Sequence, residues 1–145
     1  MELNLFKNLF AKMIDFLPNP FHPLVLIKGT PKVGKGVYIG AFSEVNAKGT
    51  QVKIGNYCDI ASFVTINAAD SHLLCIGKKN KILRKKIELG KNVFVGSHCA
   101  ILGGAKIGHH SVIAAGTVVR QETIPPYSLV IGNPAKVYPA YYKKK

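Results

Sequence analysis

Leu89-Gly-Lys-Asn-Val-Phe-Val95-Gly-Ser-His-Cys-Ala-Ile101-Leu-Gly-Gly-Ala-Lys-Ile107-Gly-His-His-Ser-Val-Ile113-Ala-Ala-Gly-Thr-Val-Val119 sets an aliphatic residue at every sixth position. Val33, Ile39 and Val45, then Ile54, Ile60 and Ile66, keep the same rhythm. A period of six matches neither the 3.6-residue turn of an amphipathic helix nor the simple alternation of a strand, and it marks a repeat architecture. Four residues beyond each aliphatic position stand Val37, Ser43, Gly49, Cys58, Val64, Asp70, Val93, Cys99, Ala105, Ser111 and Thr117. Most are small or β-branched, as a narrow interior requires. Gly34, Gly40, Gly55, Gly90, Gly96 and Gly108 directly follow aliphatic positions. They are expected where the chain bends sharply and a missing Cβ widens the allowed dihedral space.

Taken in threes, the hexapeptides give coils at 33–50, 54–71, 89–106 and 107–124, with a partial coil closing near residue 137. Each coil is a triangle of three short flat strands. Stacking at the strand spacing of about 4.8 Å sets aliphatic residues above one another in three interior ladders, and only the stack buries them. The expected class is therefore all-β, a parallel β-helix of about four to five coils. Spacing leaves its handedness open. At 145 residues and 48% hydrophobic content the chain suits a single core. Its expected organisation is an N-terminal helix and entry segment (1–32), the repeat (33–138) with an excursion loop (72–88), and a basic tail (139–145).

Leu3, Phe6, Phe10, Met13 and Leu17 recur at helical spacing with lysines and Asp15 between them, and Pro18 and Pro20 end the run. Such a short amphipathic helix packs on the β-helix or a neighbouring subunit. Phe and Leu opposite Lys7 and Lys12 also suit peripheral contact with a membrane surface. The run is too short to span a bilayer and lacks the layout of a signal peptide. The expected location is the cytoplasm, with any membrane contact at its inner face. Cys58 and Cys99 fall on inward positions and read as core-filling free thiols, and Cys75 lies in the loop.

The rhythm breaks once at length, from His72 to Glu88. Long excursions from a rigid repeat are commonly functional. This one carries Lys78, Lys79, Lys81, Arg84, Lys85 and Lys86, part of a net charge of +13. Something negative is expected nearby: coenzyme phosphates, a nucleotide-sugar diphosphate, an anionic polysaccharide or an acidic membrane. Nucleic acid fits poorly, because no recognition helix, finger or stacking platform accompanies the charge.

The stretch Ile87–Ser97, Ala100–Gly108, Val112–Val119, Ile124-Pro-Pro126 and Gly132-Asn-Pro-Ala-Lys-Val137 resembles the hexapeptide-repeat acyltransferases. It is most similar to their galactoside, maltose and polysaccharide O-acetyltransferase branch. The resemblance implies a left-handed helix, a homotrimer, and acetyl-CoA as donor in a groove between two subunits. It implies that His72, at the base of the loop, is the general base. Imidazole, with a solution pKa of about 6.5, is suited to taking a proton from an attacking hydroxyl at neutral pH. Asp70 would orient the ring or hold the acceptor. Matched residue by residue, Phe94 is a groove aromatic and Ser97, Ala115 and Gly116 are coenzyme contacts. Arg120 or Gln121 stands where the family often has Thr-Lys, and Lys136 meets the coenzyme phosphates. Backbone N–H groups near Ser97 would receive the developing oxyanion. Asn46 matches an Asn near the acceptor hydroxyl.

The implied reaction is direct transfer of an acetyl group to a hydroxyl or amino group of a sugar, nucleotide sugar or glycan. No metal takes part, and no acyl-enzyme is expected because no Cys is expected beside the base. One rival is a γ-carbonic-anhydrase-like metalloenzyme, but His98, adjacent His109 and His110, and His22 lack a paired zinc-ligand spacing. A non-catalytic trimeric scaffold is the other.

Overall fold

The computed structural model describes residues 2–14 and 19–144. The repeat folds into a triangular parallel solenoid. One face stacks Leu26–Lys28, Glu44–Asn46, Thr65–Asn67, Ala100–Leu102 and Val118–Val119. A second stacks Lys32–Val33, Val52–Ile54, Ile87–Leu89, Lys106–Ile107 and Thr123–Ile124. The third stacks Tyr38–Ile39, Asp59–Ile60, Phe94–Val95, Val112–Ile113 and Leu129–Ile131. Lys136–Tyr138 then folds back antiparallel on Leu129–Ile131, so the expected partial coil near residue 137 is a cap that ends the stack.

Register confirms the three ladders. Ile27, Val45, Ile66, Ile101 and Val119 align on the first face. Val33, Ile54, Leu89, Ile107 and Ile124 align on the second. Ile39, Ile60, Val95, Ile113 and Val130 align on the third. All but Val33 are buried. Each fully buried aliphatic side chain contributes about 1.5–3 kcal/mol, so the ladders are the main apolar source of stability. Polar residues at the second inward position stay satisfied by joining one coil to the next. Ser43 Oγ donates to Ala61 O (3.0 Å) and accepts from Val64 N–H (3.1 Å), and Ser111 does the same with Pro125 O and Ser128 N–H. Gly49 and Asp70, by contrast, are exposed. The corner at 47–51 is longer than a hexapeptide corner, and Asp70 opens the excursion.

The glycines after the aliphatic positions have a different cause from the one expected. None of the six has a left-handed φ. A Cβ at Gly90 would lie 2.6 Å from His109 N, at Gly96 2.6 Å from Ala115 N, and at Gly108 2.4 Å from Pro126 N. These glycines exist so that one coil's backbone can press against the next. Left-handed corners are instead taken by Phe42, Tyr57, Phe63, Asn92, His98, His110 and Tyr127, with φ from 54° to 62°. That conformation costs roughly 1–2 kcal/mol for a residue with a Cβ. Ring stacking between coils offsets part of it: Phe42 on Phe63 at 5.0 Å, Phe63 on His98 at 4.9 Å, and His110 on Tyr127 at 5.1 Å.

The N-terminal helix spans Leu3–Met13. Ala11 is its buried residue and Phe10 is half-buried, while Leu3, Leu5, Phe6, Leu9 and Met13 are exposed, so much of the helix's apolar surface is left uncovered by its own solenoid. Asp15, Leu17 and Pro18 of the expected helix and its stop lie outside the described residues, as does Lys145 of the tail. Among the described residues no helix is long and apolar enough to cross a membrane.

Gly90→Ala is expected to destabilise the fold by about 1–3 kcal/mol, since the added methyl meets backbone that cannot rotate away. Urea unfolding of the variant beside Lys91→Ala, an exposed neighbour expected to be near neutral, checks this.

Candidate active site

The excursion is narrower and more ordered than the extended loop at 72–88 that the rhythm predicts. Ile87–Leu89 is already back in register against Val52–Ile54, because Ile87 and Leu89 are needed in the core. At the base of the excursion Ala69–Asp70 and Leu83–Arg84 form an antiparallel pair. His72–Cys75 makes a single helical turn between them. Arg84 clamps the base to the solenoid. Its guanidinium donates to Lys48 O at 2.6 Å, and its side chain lies over Gly49, where a Cβ would meet Arg84 Cδ at 3.0 Å.

Asp70 holds His72 twice. Its Oδ1 accepts the His72 backbone N–H at 3.0 Å and meets ring Nδ1 at 2.5 Å. The His72 side-chain bond, then the backbone bond, holds the Asp70 carboxyl below its usual value, and the charges of His72 and Lys85 add to this. An ionised carboxylate can only accept, so the shared proton sits on Nδ1, and the basic nitrogen of a neutral ring is then Nε2. Sequence reasoning proposed this pair; the geometry supplies the tautomer.

The pair opens on a cleft of about 750 Å³ that Asn67, Lys85, Arg120 and Gln121 also line. Lys85 Nζ donates to Gln121 Oε1, and Arg120 reaches Asn133 Oδ1 at 3.4 Å. Four of the residues singled out in the sequence, Asp70, His72, Arg120 and Gln121, thus share one wall of one protomer. Asn46 stands one rung from the cleft and donates through Nδ2 to Asn67 Oδ1 at 3.2 Å. The remaining residues lie elsewhere. Ser97, Ala115 and Gly116 occupy the corner between the third and first faces, where Gly116 N–H donates to Ser97 O (2.9 Å). Phe94 lines a separate hollow with Asn92, His110, Tyr127 and Tyr142. Lys136 sits on the capping strand with Nζ 5.2 Å from the Tyr138 ring centre.

Asn67 also lines the cleft and was missed, while Lys85 and Cys75, which line it too, were read only as part of the basic excursion and as a loop thiol. Asn67 follows Ile66 as Asn46 follows Val45, and that parallel was the available signal. Cys75 corrects an expectation: a thiol does line the wall that carries the base, because the helical turn puts residues three apart on one side. Cys58 and Cys99 are buried core thiols that meet Gly90 O and Ala114 O, and burial pushes both thiol pKa values up, away from nucleophilic thiolate. His98 stacks on Phe63, and His109 and His110 meet each other and Tyr127. Among the described residues no three His, Cys, Asp or Glu side chains are grouped to hold a metal ion.

The six-repeat bacterial transferase hexapeptide model matches residues 86–121. The chain carries the bacterial transferase hexapeptide repeat. Over 140 residues it is 29% identical to the galactoside O-acetyltransferase of Lactococcus lactis, covering 94% of this chain and 66% of that enzyme. The N-acyltransferase AntD of Bacillus cereus, solved with dTDP and 3-hydroxybutyryl-CoA, superposes with a TM-score of 0.72 at 19% identity, over 81% of this chain and 66% of that one. The polySia-specific acetyltransferase NeuO gives 0.66 at 28% identity, over 83% and 59%. The fold is accordingly the left-handed β-helix. The chain spans from a quarter to two thirds of the length of the curated relatives it matches.

Because its folded-state value is depressed, Asp70 stabilises the native state above the unfolded aspartate range, and this contribution disappears as pH falls through the lowered value. The latch on His72 is therefore expected to persist from pH 7 down to pH 5. Carboxyl-detected NMR of Asp70 checks this, with a midpoint below the ordinary aspartate value expected for the wild type and one raised toward that value in His72→Ala, which keeps the backbone bond.

Proposed function

We propose that the chain is an acetyltransferase that moves the acetyl group of acetyl-CoA to a hydroxyl or amino group of a sugar, nucleotide sugar or glycan. The observation that carries this is the Asp70–His72 pair on the wall of an open cleft, with ring Nδ1 held against the Asp70 carboxylate. In this reading His72 Nε2 takes the proton as the acceptor oxygen or nitrogen bonds to the thioester carbonyl carbon. The carbonyl π electrons pass to oxygen. Collapse of the tetrahedral intermediate breaks the C–S bond, and the imidazolium returns its proton to the coenzyme thiolate. Asp70 steadies the imidazolium while it exists.

Support for the donor and for a sugar acceptor comes from the relatives, which include a galactoside O-acetyltransferase and an N-acyltransferase bound to an acyl-CoA and dTDP. The same proposal has the chain act as a cytoplasmic homotrimer. His72 lies at the corner between the first and second faces, and Ser97, Ala115 and Gly116 at the corner between the third and first. One copy's base and another copy's oxyanion donors then meet across a groove, with Phe94 and Lys136 toward the coenzyme's nucleotide end.

Transfer is direct in this reading, and Cys75 is a bystander. His72→Ala is expected to keep acetyl-CoA affinity within about twofold while lowering kcat by roughly 10²–10⁴-fold. Cys75→Ser should leave both unchanged. Calorimetry with acetyl-CoA, together with thioester turnover on a panel of sugars and nucleotide amino sugars, reads both. Lack of coenzyme binding by the wild type would overturn the assignment, and loss of turnover in Cys75→Ser would replace direct transfer by an acyl-enzyme.

A further inference from the structure

Asn67 is pinned in a way that decides what it offers the cleft. Its Oδ1 accepts from Asn46 Nδ2 at 3.2 Å and from Ala69 N–H at 3.0 Å. Two donors on one oxygen use both lone pairs and exclude the flipped amide, which would set Nδ2 against them. Asn46 is itself held, its Oδ1 accepting from Lys48 N–H at 3.1 Å. What Asn67 has left is Nδ2, and among the described residues no protein acceptor meets it. A preset donor thus stands on the same wall as His72.

The charges of that wall point the same way. Lys85 and Arg120 line it, and each has a neutral amide oxygen as its protein partner, Gln121 for the first and Asn133 for the second. Among the described residues neither meets a carboxylate at ion-pair distance. Among the described residues the cleft's one carboxylate, Asp70, is already engaged twice by His72. A cleft that presents two cations and a preset N–H, with its only anion consumed internally, is built for a ligand bearing an oxyanion.

We propose that the acceptor is an acidic sugar: its carboxylate or phosphate sits against Lys85 and Arg120 and accepts a hydrogen bond from Asn67 Nδ2. The nucleophile then faces His72. Asn67 and Lys85 are in this view specificity-determining residues, and Asn46 is a positioning residue that acts through Asn67. The inference rests on the acetyltransferase reading for what happens to the ligand, and on the cleft alone for which ligand binds.

Binding is therefore the test, read without coenzyme so that its failure is separate from any failure of the chemistry. Side-chain amide NMR of the full chain would be followed while methyl β-D-glucuronide, glucose 1-phosphate or methyl β-D-glucoside is added. Methyl glucuronide or glucose 1-phosphate should shift the Asn67 amide pair and bind roughly tenfold or more tightly than the neutral glucoside, as a charge-assisted hydrogen bond implies. Whichever anion binds better identifies the acidic group. Asn67→Ala and Lys85→Gln should each remove most of that preference with the fold intact by circular dichroism. Asn46→Ala should weaken it by less. Equal binding of acidic and neutral probes, or a preference that survives Asn67→Ala, would overturn the proposal even if acetyl-CoA binds normally.

Discussion

Every feature of this molecule depends on how closely one coil's backbone approaches the next. Parallel strands exchange hydrogen bonds only at a spacing of about 4.8 Å, and a three-sided coil has to hold that spacing around its corners as well as along its flat strands. At Gly90, Gly96 and Gly108 any side chain would sit within 2.4–2.6 Å of the neighbouring coil's backbone nitrogen. Hydroxyls at Ser43, Ser111 and Thr117 serve the same approach from inside, joining carbonyls and N–H groups of successive coils. The aliphatic ladders provide the driving force, and the glycines permit the contact.

A scaffold this regular leaves chemistry to the places where regularity fails. The corner at 47–51 is enlarged, and directly above it the chain leaves the solenoid after Asp70. Arg84 ties the two irregularities together by reaching Lys48 O. His72 consequently stands on a clamped base rather than on a free loop. The Asp70 carboxylate then settles the ring's orientation with two bonds to one residue, a local device that needs no burial.

Polar order extends inward from that base as a short relay. Lys48 N–H holds Asn46, Asn46 holds Asn67, and Asn67 accepts from Ala69 just ahead of Asp70. Register makes this possible, since Asn46 and Asn67 are direct partners on the first face. Asn46, which reads in the sequence as a substrate contact, is in the fold hydrogen-bonded to the residue one rung above it.

The sequence by itself determined the three-sided repeat, the ladder residues and the place of the excursion, because each is a short-range regularity or a break in one, whereas His72 and Asp70 were singled out only through resemblance to a family. Only the tertiary structure decided why the glycines are there, where the excursion ends, and which residues share a wall. Gly90 and His109 are far apart in the chain yet in contact across coils, so the reason for the glycine is invisible to dihedral reasoning. Arg120 and Gln121 join Asp70 and His72 only because the stack brings a later corner over an earlier one, and Ser97 and Ala115 part from them for the same reason. Cys75 reaches the cleft through a helical turn inside the excursion, where no six-residue rhythm exists to announce it.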